Sequence, residues 1–441
     1  MTSLARQDGA GDGAAKPIES ADIVILGAGY GGLHVAQRLA RLLSGEHKAD
    51  GAPWTVLLID RQPHHQLTTE LPRLVSDEVA DDDLDIPLDQ LLDGQRTRLL
   101  QAEIQSIRLG ADSQPGAIET SVGAIAYSQL VIALGSISND FGIPGVREQM
   151  RPFLTTEDAR DLRLAVIRAI EEAARSEREQ PAADLGELRQ RLSVLIAGAG
   201  ATGVEVAGAM AELMADEWES ARRIAGKPDH YRLPKPQIVL LDAGPMVLAG
   251  WSHQTSQAVA DALREMGIDL RLSTRIVQVE PGRVQIKGGE WIAAGTLVWA
   301  GGVRAPKMLE AAGLPVGAGG RIQVDQFQRV AGHPNIYAVG DSALLLDKTT
   351  GRPVPPTADI ALRSGETAAL ALTAALQGRT PERVLRPITR NVISVGPRNG
   401  AADLLGVKLK GRLALTIKDL IEWEYRQSIT WLQGYSAATV V

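Results

Sequence analysis

Short apolar, β-branched runs recur along the chain, and several end in glycine rather than in an ordinary polar turn. Residues 22–26 (DIVIL) meet Gly27, Gly29 and Gly32. A helical pattern follows over 33–43, and a second apolar run at 54–59 (WTVLLI) ends at Asp60. This succession predicts strand, tight turn, helix, strand and acid, which is a βαβ unit. The same grammar returns later. Residues 192–197 (LSVLIA) meet Gly198, Gly200 and Gly203, an Ala-rich helical stretch covers 204–224, and 238–241 (IVLL) ends at Asp242 after a proline-rich loop. A repeat of this unit predicts two nucleotide-binding domains in one chain.

Between and after the repeats lie further elements. Residues 130–135 (LVIALG) predict a strand and turn ending at Gly135, and 141–145 (FGIPG) has linker character. Thr155 and Asp158 stand at capping-box spacing before Leu162, Val166 and Ile170, so a helix begins there. Residues 297–299 (LVW) precede Gly301 and Gly302, and 335–341 (NIYAVGD) predict a strand closing on Gly340 and Asp341. A helix is expected over 358–376 with Thr357 as its N-cap. The resulting fold class is α/β, with two Rossmann-like dinucleotide-binding domains and a small C-terminal region. Residues 1–20 form a disordered tail. Residues 21–150 with 310–380 form the first, discontinuous domain, and 151–309 form the second. Residues 381–441 stand apart through Trp423, Tyr425, Trp431 and Tyr435 in a chain that is 4% aromatic.

Charge and composition narrow the chemistry. With 46 Lys and Arg against 53 Asp and Glu, the net charge is −7, so no nucleic-acid partner is expected. There is no cysteine, which removes disulfides, thiolate metal sites, iron–sulfur ligation and cysteine nucleophiles. The N-terminal 20 residues lack the apolar run of a secretory signal, and no stretch reads as a transmembrane helix. The expected location is cytoplasmic, or peripheral on the cytoplasmic face of the membrane. His64 and His65 are adjacent and point apart, so no metal site is expected. No nucleophile elbow is present.

Each Gly-x-Gly-x-x-Gly turn has a physical purpose. The first glycine makes the tight turn, the second lets the backbone approach a pyrophosphate, and the third lets helix and strand pack. The helix N-terminus then faces the phosphates with free N–H groups and a positive dipole end. Asp60 and Asp242 end the second strand of their units, where a carboxylate accepts bonds from ribose hydroxyls. At Asp242 a carboxylate also repels a 2′-phosphate, and the following Ala243, Gly244 and Pro245 provide no arginine to bind one. NADH is therefore preferred over NADPH.

The ordered motifs DIVILGAGYGGL, LVIALGS, FGIPG, VLIAGAGATGVEVAGAMAEL, LVWAGGVRAP and NIYAVGDSALL resemble flavoproteins with two dinucleotide-binding domains. Within them the chain most resembles the type II NADH:quinone oxidoreductases, single-subunit FAD enzymes that pump no protons. The resemblance spans residues 20–380. It implies that Gly27, Gly29, Gly32, Asp60, Gly135, Gly340, Asp341 and Ala358 hold FAD. It assigns NADH to Gly198, Gly200, Gly203, Asp242, Gly301 and Gly302, and quinone as the electron acceptor. Glu205 would lie in the first turn of its helix, near nicotinamide and flavin, as the catalytic residue. On residue chemistry alone it is equally an acid favoured at a helix N-terminus, worth up to about 1 kcal/mol. The helix from Ala358 would aim its positive end at the flavin, or be an ordinary packing helix. Where the family carries glutamines on this helix, Asp359 and Arg363 stand instead and are expected to line the acceptor site.

In the C-terminal region Leu413, Ile417, Leu420, Ile421, Trp431 and Leu432 form an apolar stripe interrupted by Asp419, Glu422 and Glu424. It suits peripheral membrane contact, packing on the protein itself, or a homodimer interface. Three functional readings follow: an NADH:quinone oxidoreductase, a flavoprotein reductase of a soluble acceptor, and a non-catalytic NADH-sensing flavoprotein. Disulfide reductases and sulfide:quinone reductases share the fold but need cysteines.

Overall fold

The computed structural model describes residues 19–430 apart from 93–95, 111–114, 180–183, 226–232, 348–350, 382–389 and 405. In chain order, the first unit contains β1 (Glu19–Leu26), α1 (Tyr30–Leu42), β2 (Val56–Asp60), α2 (Leu71–Val75), β3 (Thr97–Gln101), β4 (Ile104–Arg108), β5 (Gly116–Thr120) and β6 (Gly123–Ile132). Next come α3 (Thr156–Glu179), β7 (Ser193–Ala197), α4 (Ala201–Ala225), β8 (Gln237–Leu241), β9 (Asp269–Arg271) and β10 (Thr296–Trp299). The chain continues through β11 (Arg329–Val330), β12 (His333–Ala338) and α5 (Ala358–Leu376). It closes with β13 (Arg390–Ser394), β14 (Gly400–Leu404), β15 (Val407–Lys410) and α6 (Arg412–Thr430).

The larger sheet has the order β11-β12-β6-β1-β2-β3, with β4 and β5 folded back onto β6. β1 lies between β6 and β2, parallel to both. Ile23, Val24, Ile25 and Leu26 are therefore buried whichever face they point to, which explains an apolar run without alternation. The smaller sheet, β9-β8-β7-β10, is parallel throughout and has Ser193–Ala197 buried at its centre. In each sheet the central strand runs into its glycine turn, so both turns emerge at the carboxyl edges of strands, where doubly wound sheets bind ligands.

The capping box at the start of α3 forms reciprocally. Thr155 Oγ1 accepts from the Asp158 N–H at 3.1 Å, while the Asp158 carboxylate accepts from the N–H groups of Thr155 (3.0 Å) and Leu154 (2.9 Å). Leu162, Val166 and Ile170 are buried along its inner face. Thr357 caps α5 by accepting from the Ile360 N–H at 3.3 Å. β13, β14 and β15 form an antiparallel sheet, and α6 packs on it.

Some boundaries differ from expectation. β1 begins at Glu19, inside the stretch read as a tail, because Glu19, Ser20 and Ala21 extend the ladder beside β6. α1 begins at Tyr30, three residues early, because the helix starts directly after Gly29. Trp431, Leu432 and Tyr435 lie outside the described residues. No helix among the described residues is long and apolar enough to cross a membrane.

Candidate active site

The two glycine turns have nearly superimposable local geometry. Gly27 and Gly198 have φ of +95° and +107°, and a Cβ there would lie 2.4 Å from the Ala133 carbonyl oxygen and 2.3 Å from that of Ala300. At Gly32 and Gly203 a Cβ would lie 1.9 and 1.8 Å from the carbonyl oxygens of Gly27 and Gly198. These four glycines are required by packing alone. Gly29 and Gly200 differ, since a Cβ on either would meet nothing within 4 Å. The space at the middle glycines lies on the open side of each turn, where a pyrophosphate would approach the N-termini of α1 and α4. The turns thus fit a dinucleotide at each site.

The two acids also correspond. Asp60 Oδ2 accepts from the Ala28 N–H at 2.6 Å, and Asp242 Oδ2 accepts from the Ala199 N–H at 2.6 Å. Their other oxygens accept from the N–H groups of Gln62 (2.8 Å) and Gly244 (2.6 Å). Each carboxylate therefore braces its own glycine turn, a duty the sequence did not reveal. It keeps lone pairs free for ribose hydroxyls.

Both turns open on one cleft of about 1270 Å³. Its lining includes Gly27, Gly29, Asp60, Gly135, Gly340, Asp341 and Ala358 from the first unit, and Gly198, Gly200, Asp242, Gly301 and Gly302 from the second. Glu205 and Asp359 also line it, whereas Gly32 and Gly203 do not, in keeping with their packing role. Asp341 accepts from Ser136 Oγ at 2.8 Å, and burial pushes its carboxyl above the ordinary aspartate value. Gly340 donates its N–H to Ser364 Oγ at 2.9 Å, tying the Gly-Asp turn to α5. The N-terminus of α5 opens on the cleft through Thr357, Ala358 and Asp359. Arg363 is not part of the lining; its Nε donates to Asp359 Oδ2 at 2.8 Å from behind. The Asp359–Arg363 pair thus divides into a lining acid and a supporting cation.

Glu205 is the fifth residue of α4, at the start of the second turn rather than in the first. Its carboxylate is committed: Oε1 accepts from the Ser394 N–H at 3.0 Å, Ser394 Oγ at 3.1 Å and Lys418 Nζ at 2.8 Å. Lys418 comes from α6, which divides the expected stripe between its two sides, with Ile421 lining the cleft and Leu413 and Leu420 facing outward. Ala414, Lys418, Glu422 and Ile429 face inward and are buried, while Leu413, Leu420 and Trp423 are 57%, 59% and 59% exposed. Glu422 does not interrupt an apolar surface, because it points into the cleft. The reason is what α6 covers: part of its inner face meets the charged groups of Glu205, Glu70 and Arg73, while Ile429 and Tyr425 further along pack on the hydrophobic core. Burial opposes the charge on Lys418, yet the Glu205 and Glu422 carboxylates outweigh it and hold the ammonium firmly protonated.

α6 also reaches the first glycine turn. The Tyr425 ring stacks on Tyr30 with centroids 4.7 Å apart, and its hydroxyl lies 2.8 Å from His65 Nε2. His65 Nδ1 lies 2.9 Å from the Ala28 carbonyl oxygen, which can only accept. Nδ1 therefore carries the proton, and Nε2 accepts from Tyr425. Burial lowers His65 to about 4 and fixes it neutral. Arg426 donates to Glu70 Oε1 at 2.9 Å and to the Asp83 carbonyl at 3.0 Å, securing the helix further along. None of Lys418, Tyr425, Ser394, Glu70, Arg73 and Arg426 was singled out by spacing. An i,i+4 Lys418–Glu422 pair beside aromatic residues was the only local signal.

Residues 21–365 match the pyridine nucleotide-disulphide oxidoreductase family. A type II NADH:quinone oxidoreductase of Staphylococcus aureus (strain NCTC 8325 / PS 47) is 29% identical over 405 residues, covering 91% of this chain and 94% of that protein. Among solved structures, NDH2 from Plasmodium falciparum in complex with NADH aligns with a TM-score of 0.76 at 18% identity, over 93% of this chain and 96% of that one. The sulfide:quinone oxidoreductase of Aquifex aeolicus aligns with a TM-score of 0.72 at 18% identity, over 93% and 92%. These two likenesses bear on the fold. With no cysteine, this chain has no thiol of its own for disulfide or sulfide chemistry. The paired glycine turns, their bracing acids and the shared cleft agree with the family match, and the chain belongs to the pyridine nucleotide-disulphide oxidoreductase family, where it stands with the type II NADH:quinone oxidoreductases.

Proposed function

We propose that the protein is an FAD-dependent NADH dehydrogenase that passes electrons to a quinone. The observation that carries this reading is the pair of dinucleotide turns facing one continuous cleft, since electron transfer between two dinucleotides needs their reactive rings in contact. In this reading residues 21–150 with 310–380 are the FAD unit and 151–309 the NADH unit. Gly29 would give the FAD pyrophosphate access to the α1 N-terminus, Asp60 would accept from its ribose, and Asp341 would bond the ribityl chain. The N-terminus of α5, which opens on the cleft, would face the flavin ring, where its dipole would favour the negative charge of the reduced form. When bound, FAD supplies the two-electron chemistry that no side chain of this protein provides. Gly200 gives NADH the equivalent access, Asp242 faces its adenosine ribose, and Gly301 and Gly302 leave room for the nicotinamide. Glu205, bridged to Lys418, would stand beside the nicotinamide and the flavin. Asp359, held by Arg363, lines the acceptor side.

The exposed face of α6 suits a membrane surface, which is where a lipid-soluble quinone resides. Leu413, Leu420 and Trp423 project outward beside the exposed Lys408, Lys410 and Arg412. No such observation favours a sensor or a soluble protein acceptor. Anaerobic mixing with NADH should bleach the flavin absorbance, and a short-chain quinone added next should restore it within one turnover. Flavin that NADH reduces but no quinone reoxidises would overturn the acceptor assignment. Flavin that NADH leaves oxidised would overturn the enzyme reading as a whole.

A further inference from the structure

Lys418 stands between two carboxylates in the cleft, and the two are not equivalent. Glu205 Oε1 accepts three hydrogen bonds. Glu422 is 8% exposed, and neither of its oxygens accepts a hydrogen bond. Its nearest cations are Lys418 Nζ at 3.4 Å and Arg73 at 3.5 Å, both at ionic rather than hydrogen-bonding geometry. Both cations are shared. Lys418 serves Glu205 more closely, at 2.8 Å, and Arg73 also faces Glu70, Glu78 and Asp419. A carboxylate so buried, unsolvated and weakly paired is costly, and protonation relieves that cost.

We propose that Glu422 is the proton donor of the acceptor site, a carboxylic acid that gives its proton to the quinone oxygen and recovers one from solvent between turnovers. The inference rests on the quinone reading above. The balance requires such a group. NADH supplies two electrons and one proton, whereas reduction of a quinone to a quinol consumes two electrons and two protons. The second proton leaves the Glu422 O–H as the new quinol O–H forms, and Glu422 becomes a carboxylate facing Lys418.

Other candidates in or behind the cleft wall are less suited. Lys418 holds its proton too firmly, and Glu205 is already engaged by three donors from Ser394 and Lys418. His65 is neutral and spends its N–H on Ala28, while burial raises Tyr30 to about 12 and Tyr425 well above the ordinary tyrosine value. Every element packed around Glu422 contributes to its balance. Glu70 and Glu205 raise its proton affinity, and Lys418 and Arg73 lower it. The Tyr30 hydroxyl is close enough to sense its charge. Burial dominates and lifts Glu422 to about 7, so at neutral pH the group both holds and releases a proton.

The test uses the FAD-loaded enzyme and Glu422→Gln. NADH-reduced enzyme is mixed with a short-chain benzoquinone across the neutral range, and separately with ferricyanide, which takes one electron and no proton. The wild-type quinone rate should fall as pH rises through about 7, and E422Q should be slower by about a hundredfold with that dependence gone. The ferricyanide rates should stay together. Infrared difference spectra of unreacted wild-type enzyme should show a protonated carboxyl band that disappears over the same pH range and is missing in E422Q. Glu422→Asp should restore part of the rate and the band. An E422Q enzyme with wild-type quinone rates and pH profile would overturn the proposal. So would a wild-type enzyme with no carboxyl band titrating near neutrality, a result that needs no variant to fold. Wild-type enzyme that reduces ferricyanide but no quinone would overturn the acceptor reading itself, and the ferricyanide arm makes that failure recognisable.

Discussion

The two dinucleotide turns share a backbone and differ in what covers it. In the first, the residue after the middle glycine is Tyr30, which stacks under Tyr425 from α6, and Ala28 is tied through His65 to the same tyrosine. The helix behind it is locked as well. Glu366 on α5 accepts from Arg38 at 2.6 and 2.9 Å and lies 3.1 Å from His34 Nε2, so α1 and α5 are bolted together. In the second, the equivalent residue is Ala201, and Ala201 and Thr202 are exposed. A covered turn suits a cofactor that stays through many turnovers, while an open one suits a cosubstrate that must leave after each. Identical fingerprints therefore encode the class of ligand, and the surroundings encode its residence time.

The sharpest way to break this comparison is to damage each turn separately. Gly32→Val and Gly203→Val both drive side-chain atoms into the preceding carbonyl oxygen, where even a Cβ lies within 1.9 and 1.8 Å. Gly32→Val should yield protein without flavin. Gly203→Val should retain flavin absorbance yet be reduced by NADH slower by about a thousandfold or more, as suits loss of a whole binding site. Flavin content and stopped-flow reduction measure both. If Gly203→Val loses FAD as readily as Gly32→Val, the two units do not hold their ligands independently.

The bolt behind the first turn offers a smaller effect. Burial alone would raise the Glu366 carboxyl, but the hydrogen bonds from His34 and Arg38 prevail and lower it to about 2 from 4.5. A depressed carboxylate contributes stability that is present above pH 4.5 and is lost as pH falls toward 2. Glu366→Gln leaves Arg38 facing a neutral amide, at a cost of about 3 kcal/mol. Thermal unfolding at neutral pH should show a lower midpoint for the variant, with the gap closing in acid. FAD should also dissociate faster, because Gly365 sits where a Cβ would be 2.8 Å from the Gly31 carbonyl and any slackening of this crossing moves the turn. A gap that stays constant into acid would rule out this ion pair as its origin.

Much of this architecture is written locally. The glycine spacings, the acids at strand ends, the Thr155–Asp158 box and the Thr357 cap each depend on residues close in sequence, and all can be read in one dimension. The partners of Glu205 cannot, because Ser394 and Lys418 come from the C-terminal region, 189 and 213 residues away. The helix α6 misleads for a different reason. Hydrophobic periodicity assumes that the apolar face seeks the core, whereas this helix turns Lys418 and Glu422 into the cleft and Leu413, Leu420 and Trp423 outward. The i,i+4 spacing places Arg363 beside Asp359, but helical spacing alone does not tell a lining residue from one standing behind it.

The smallest expected effect concerns the choice between NADH and NADPH at the open turn. Asp242 has two functions, and a substitution must separate them. Its carboxylate holds the Ala199 and Gly244 N–H groups at 2.6 Å each, and its charge opposes a 2′-phosphate. Removing the side chain would disturb the turn and blur the result. Asp242→Asn removes the charge and keeps one oxygen to accept from one of the two N–H groups. The other N–H then meets an amide NH2, so NADH binding should weaken somewhat. Binding of NADPH should weaken less or improve, because repulsion of the phosphate is gone. The ratio of kcat/KM for NADH over NADPH should fall by about tenfold, equal to about 1.4 kcal/mol. Asp60→Asn provides the reference: it damages the matching brace at the FAD turn and should leave this ratio unchanged, since that site never meets the exchanging nucleotide. An unchanged ratio in Asp242→Asn would assign the preference to other residues of the cleft and leave Asp242 as a brace alone.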